Sequence, residues 1–147
     1  MSRLRMVSSK RFEDLLTAAP GALEADTAMR GLLVEQLTPR LYSLIKVVVA
    51  GCLRCERFVD DLRGPLDQSF AFQAATDRRA LTLTAAEKAV LAYAEKGTID
   101  EASVRRRDVD ALRAAGLSDK EVLLIATAIA YHNYAIRMAA GFDVRPH

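Results

Sequence analysis

The sequence predicts an all-α protein: a helical bundle formed as one domain over residues 1–147. Three observations carry this. Ala, Leu, Arg, Glu and Lys dominate the chain, and these are strong helix formers. Leu41, Leu44, Ile45, Val48, Cys52, Cys55 and Val59 recur at helical spacing, whereas no segment sustains a period-two alternation and no Asn-Gly or Asp-Gly hairpin turn occurs. Thr84-Ala85-Ala86-Glu87 and Ser118-Asp119-Lys120-Glu121 both have the form of a capping box, in which the two end residues satisfy each other's free backbone N–H.

The elements follow in order. Ser9 caps a short helix holding Phe12, Leu15 and Leu16, which Pro20-Gly21 ends. A second helix covers Ala22 to Gln36 with Ala28, Leu32 and Leu33 inward. Pro39 suits the first turn of a third helix, where its missing N–H costs nothing. That helix carries the apolar run toward Val59, and Gly51 bends it or starts a new helix. Gly64-Pro65 breaks the chain, and Leu66 to Thr76 is helical again. The helix opened by Thr84 runs to Lys96, with Gly97 as its stop. Asp108 to Ala115 is a short helix ended by Gly116. Ser118 opens the longest helix, to Ala140 with Gly141 as the stop. It is apolar nearly all round from Val122 to Tyr131 and so is expected at the centre.

Composition narrows the function. Hydrophobic residues are 51% and charged residues 27%, which excludes a disordered chain. A net charge of +2 provides no basic face for nucleic acid or an anionic membrane. Arg105-Arg106-Arg107 is the only basic run, and ahead of Asp108 and Asp110 it reads as a solvated helix end. The longest apolar stretches fall short of the roughly 20 residues a membrane span needs. No apolar segment follows Met1 to Met6 as in a secretory signal, so a cytoplasmic location is expected. No Gly-rich phosphate loop, Ser-His-Asp set or acidic metal cluster is present, and neither cofactor nor metal is expected.

The informative feature is Cys52-Leu53-Arg54-Cys55. Cysteines at i and i+3 share one helix face and can close a small disulfide with little backbone movement. A helix start near Gly51 would favour thiolate at Cys52 through the helix dipole, with Arg54 and Arg57 adding positive charge. This fits a redox dithiol. Two other readings stand beside it. Both cysteines sit on an apolar stripe and can be small core residues. They also make half of a zinc site, for which only His132 and His147 supply imidazole. Glu56, one turn after Cys52, can accept a proton or be a plain exposed charge. His132, in line with Ile125, Ile129 and Ile136, reads as a core imidazole or as a neighbour of the cysteines. Tyr131, Asn133 and Tyr134 read as packing or polar-network residues.

Leu44 to Asp61, Leu-Ile-Lys-Val-Val-Val-Ala-Gly-Cys-Leu-Arg-Cys-Glu-Arg-Phe-Val-Asp-Asp, resembles the core of the AhpD-like alkylhydroperoxidase and carboxymuconolactone decarboxylase superfamily. Leu83 to Glu87, Asp108 to Ser118 with its Ala-Ala-Gly-Leu-Ser end, Tyr131-His132-Asn133-Tyr134 and Arg137 are similar to its peroxidase-related branch. The likeness covers about residues 41–144. It implies an all-helical fold that assembles as a dimer, trimer or hexamer, reducing a hydroperoxide with electrons from a dithiol or thioredoxin-like donor. By the same resemblance Cys55 is the attacking thiol and Cys52 the resolving one, against the dipole argument. The family pattern adds a Glu about twelve residues before the first cysteine and a His four after the second. Here those positions read Arg40 and Val59, and the nearest earlier acid is Glu35. A reductase of low or specialised activity is therefore expected. The alternatives are a non-catalytic redox sensor and a structural homologue whose chemistry has lapsed. A carboxymuconolactone decarboxylase-type activity fits less well, because that branch does not depend on a cysteine pair and no basic carboxylate-binding cluster stands out.

Overall fold

The computed structural model describes residues 11–146, so the expected cap at Ser9 lies outside the described residues. Among them are eight α-helices and no strand. They are α1 (Phe12–Leu16), α2 (Ala22–Gln36), α3 (Pro39–Cys52), α4 (Val59–Leu62), α5 (Gln68–Thr76), α6 (Ala85–Ile99), α7 (Arg106–Ala114) and α8 (Asp119–Phe142). Single 3-10 turns at Glu56–Phe58, Arg78–Ala80 and Glu101–Ser103 join some of them.

Helix α3 is the one enclosed on most sides. It packs against α5, α6 and α8 and buries Tyr42 through Ile45 and Val47 through Ala50. Its Val47-Val48-Val49 run has only middling helix propensity, and burial decides the outcome. Pro39 occupies the first turn, and the Thr38 hydroxyl accepts from the Leu41 N–H at 3.2 Å. Helix α8 shares the centre rather than filling it. Ile125, Ala128 and Ile136 are buried, but Leu123 is 67% exposed. By length and composition α8 is apolar enough to cross a membrane, yet 56% of that apolar window is buried inside the bundle.

Both capping boxes form. Thr84 and Glu87 exchange bonds of 3.0 Å and 3.0 Å, and Ser118 and Glu121 bonds of 3.1 Å and 3.0 Å. Four boundaries differ from expectation, one of them that of α7, which starts at Arg106 rather than Asp108. Helix α6 continues through Gly97 to Ile99, because the Ile129 side chain packs over Gly97 and keeps that turn inside the bundle. Helix α8 continues through Gly141 to Phe142, and Asp143 takes the left-handed turn instead. Helix α5 starts at Gln68, where the Asp67 carboxylate accepts from the N–H of Ser69 and Phe70. Helix α2 presents Asp26 and Leu33 inward, while Ala28 and Leu32 face out.

Helices α3 and α5 approach closely at Gly51. A Cβ built on Gly51 would lie 1.9 Å from the Ala75 carbonyl oxygen, so only glycine allows the two backbones to approach this closely. By contrast, Gly31 in α2 has open space around it. We expect Gly51→Ala to destabilise the protein by about 3 kcal/mol, as overpacking against rigid backbone does. Gly31→Ala is expected to stabilise it by about 1 kcal/mol through helix propensity. Urea unfolding of the two variants beside the wild type measures both.

Candidate functional site

The two cysteines straddle the end of α3. Cys52 is its last residue, Leu53 is the cap and Arg54 turns left-handed at φ 59°. The Arg54 N–H reaches the Gly51 carbonyl at 3.0 Å and the Cys55 N–H reaches the Ala50 carbonyl at 2.8 Å. This is the paired hydrogen bonding of a left-handed helix cap, with arginine where glycine is usual. The expectation of two cysteines on one helical face, able to close a disulfide with little backbone movement, is thereby corrected: their sulfurs are not at disulfide distance. So is the dipole argument: Cys52 sits at the negative end of α3, which disfavours its thiolate.

Both cysteines are free thiols, Cys52 half-buried and Cys55 buried. The Cys55 S–H donates to the Leu53 carbonyl at 3.5 Å. Burial pushes both thiols up from the ordinary cysteine value. At Cys52 the charge of Arg78 pulls back down and that of Glu95 adds to the rise. At Cys55 Arg57 lowers, Glu56 raises and Arg137 lowers. Arg78 and Glu95 are themselves an ion pair. Each thiol thus feels at least one guanidinium and one carboxylate. Of these, Arg78 and Glu95 lie far along the chain and carry no local signal that ties them to Cys52.

Glu56 opens the turn after Cys55 and lines a hollow of about 370 Å³ with Arg57, Val59, Gln68 and Phe72. Val59 itself is buried and cannot carry a proton. Arg40 stands in the first turn of α3, twelve residues or about 18 Å along the helix from Cys52. It pairs with Glu87 at 2.6 Å, and its guanidinium lies 5.1 Å from the Phe70 ring centre. The Arg40 hydrogen bond holds Glu87 below the usual carboxylate range.

His132 is buried among aromatic rings, edge-on to Tyr42 at 4.9 Å and to Tyr131 at 5.2 Å. Tyr42 precedes Cys52 by ten residues, about 15 Å along α3, so His132 belongs to a different cluster. In it the Tyr131 hydroxyl donates to Asp26 Oδ1 at 2.7 Å. Burial, with the bond to Asp26, pushes Tyr131 up, and burial raises Tyr42 to about 12. Lys46 stands 4.8 Å over the Tyr42 ring, and burial followed by the charge of Arg30 lowers it to about 8. His132 is thus a core imidazole and Tyr131 a polar-network residue, as one reading of the sequence expects. Asp26 is what the sequence does not announce, an acid on a helix face that otherwise reads as solvated.

A cysteine pair is thus set across the end of the enclosed helix of an all-α bundle. No family model matches the sequence, and no curated protein does. Solved structures do. The chain is similar to an uncharacterized peroxidase-related protein from Silicibacter sp. TM1040, with TM-score 0.76 and 26% identity over 92% of this chain and 75% of that one. It is similar to an uncharacterized peroxidase-related protein with an alkylhydroperoxidase AhpD core from Ralstonia eutropha JMP134, with TM-score 0.75 and 26% identity over 90% and 74%. A protein of unknown function from Agrobacterium tumefaciens, related by its description to the antioxidant defence protein AhpD, gives TM-score 0.73 and 27% identity over 90% and 96%. The chain belongs to the AhpD-like superfamily.

Arg54 occupies a backbone conformation that costs any residue with a Cβ. Arg54→Gly is therefore expected to raise the reduced protein's stability by about 1 kcal/mol. Chemical denaturation under reducing conditions measures this.

Proposed function

We propose that the chain is a thiol-dependent peroxide reductase that cycles Cys52 and Cys55 between dithiol and disulfide. The observation that carries this reading is the placement of two free thiols across one helix cap, each with its own charged neighbours. Cys55 feels two guanidiniums, Arg57 and Arg137, against one at Cys52, which favours Cys55 as the attacking thiolate. Glu56, the next residue, accepts its proton. The thiolate attacks the terminal peroxide oxygen, the O–O bond breaks, and the alkoxide leaves as an alcohol after protonation. Cys55 is then a sulfenic acid. Cys52 gives its proton to Glu95 and attacks the Cys55 sulfur, releasing water and closing the disulfide. A dithiol or thioredoxin-like donor returns two electrons and two protons.

The raised thiols and the absence of acid–base capacity at Val59 support a slow enzyme. Burial of Cys55 also favours a second reading, a structural homologue in which the disulfide never forms. The exposed apolar side chains Met29, Leu32, Val34 and Leu123 support a homo-oligomer. A cytoplasmic location is the compartment in which a dithiol stays reduced.

Titration of thiols with one equivalent of an alkyl hydroperoxide decides between the readings. We expect loss of both thiols to one intramolecular disulfide, and a trappable sulfenic acid on Cys55 in Cys52→Ser. Retention of both thiols after hours of exposure leaves only the structural reading. The pH dependence has a fixed sign. Raised folded pKa values leave little thiolate at neutral pH, so the rate should climb about tenfold per unit from pH 7 until the attacking thiol is deprotonated. Glu95→Gln is expected to slow disulfide closure about tenfold or more while sparing sulfenic acid formation, read by stopped-flow with a trapping reagent.

A further inference from the structure

A larger cavity, about 650 Å³, lies between the C-terminal half of α6 and α8, away from the hollow beside Glu56. Tyr93 and Ile129 give it apolar surface. Beside them runs a fixed polar chain that joins α6 to α8. Thr98 is buried, and its hydroxyl accepts from Asn133 Nδ2 at 3.0 Å. The same nitrogen donates to the Ile129 carbonyl at 2.9 Å. Both donors of the amide are thereby engaged within the fold, and its oxygen is aimed at the Arg137 Nε, which donates to it at 3.4 Å. Arg137 forms no ion pair among the described residues, so its two terminal nitrogens remain available to a ligand at the cavity wall. A guanidinium held by its Nε presents those nitrogens as a fork that matches a carboxylate.

We propose that this cavity binds an organic monocarboxylate, its carboxylate on Arg137 and its apolar body against Tyr93 and Ile129. Glu101, also at the cavity, opposes a second negative charge, which favours a carboxylate over a phosphate dianion. The inference stands whether or not the chain turns over peroxide.

The test uses the full chain, with octanoate as the probe and octanamide and inorganic phosphate as comparisons. Calorimetric titration is expected to show saturable octanoate binding, at least tenfold weaker octanamide and phosphate, and at least tenfold weaker octanoate in Arg137→Gln. No saturable octanoate binding, equal binding of octanoate and octanamide, undiminished binding in Arg137→Gln, or phosphate binding as tight as octanoate each overturns the proposal. Absence of peroxide turnover by the wild type alongside positive octanoate binding removes the reductase reading and leaves this one standing.

Discussion

Backbone contact between Gly51 and Ala75 leaves no space for a methyl group between α3 and α5, and one residue later α3 ends in a left-handed turn. The two facts are linked. Helix α5 crowds the last turn of α3, and the chain leaves through Leu53 and Arg54 with the Ala50 and Gly51 carbonyls capped by Cys55 and Arg54. Everything about the cysteines depends on this exit. It separates them between the last helical turn and the following loop, and it puts Cys52 at the wrong end of the dipole for an acidic thiol. Whatever activates these sulfurs must come from side chains, and the nearby charges are Arg78, Glu95, Glu56, Arg57 and Arg137.

This arrangement differs in kind from the relay the resemblance implied, where a glutamate and a histidine serve the pair. Arg40 is committed to Glu87 and Phe70 at the opposite end of α3, and Val59 is a core residue. The cysteines instead have separate electrostatic neighbourhoods contributed by the turn after Cys55, the segment before α6, α6 itself and α8. The polar group centred on Asp26, Tyr131 and His132 is a further neighbourhood, tied to the first turns of α3. It fixes α2 against α8 where apolar packing is thin, since α2 buries little besides Leu33.

Much of the fold was legible because its signals are local. Thr84 with Glu87 and Ser118 with Glu121 each act within one helical turn, and their hydrogen bonds are the ones found, while Pro39 stands in the first turn of α3 as expected. Glycine misled where packing outweighed propensity. Gly97 and Gly141 read as stops, but Ile129 packs over Gly97 and keeps that helix going, while Gly141 stands in open space and α8 ends one residue after it at Phe142. Gly51 read as a bend and is a point of backbone contact, which only the position of Ala75 reveals. The cysteine pair was legible, and so were Glu56 and Arg57 beside it, but its neighbours from distant elements were not. Arg78, Glu95 and Arg137 meet it through contacts between distant parts of the chain, and no spacing in the sequence encodes those contacts. Asp26 shows the same limit, since a lone acid in an otherwise polar stretch does not announce a buried partner.

The short span between Cys52 and Cys55 has an energetic corollary. A crosslink across so few residues would remove little chain freedom from the unfolded ensemble. The two sulfurs are not at disulfide distance, so closing that crosslink would also have to move the hydrogen-bonded turn between them. The difference in folding free energy between the two forms would then be set by what that turn gives up rather than by chain entropy.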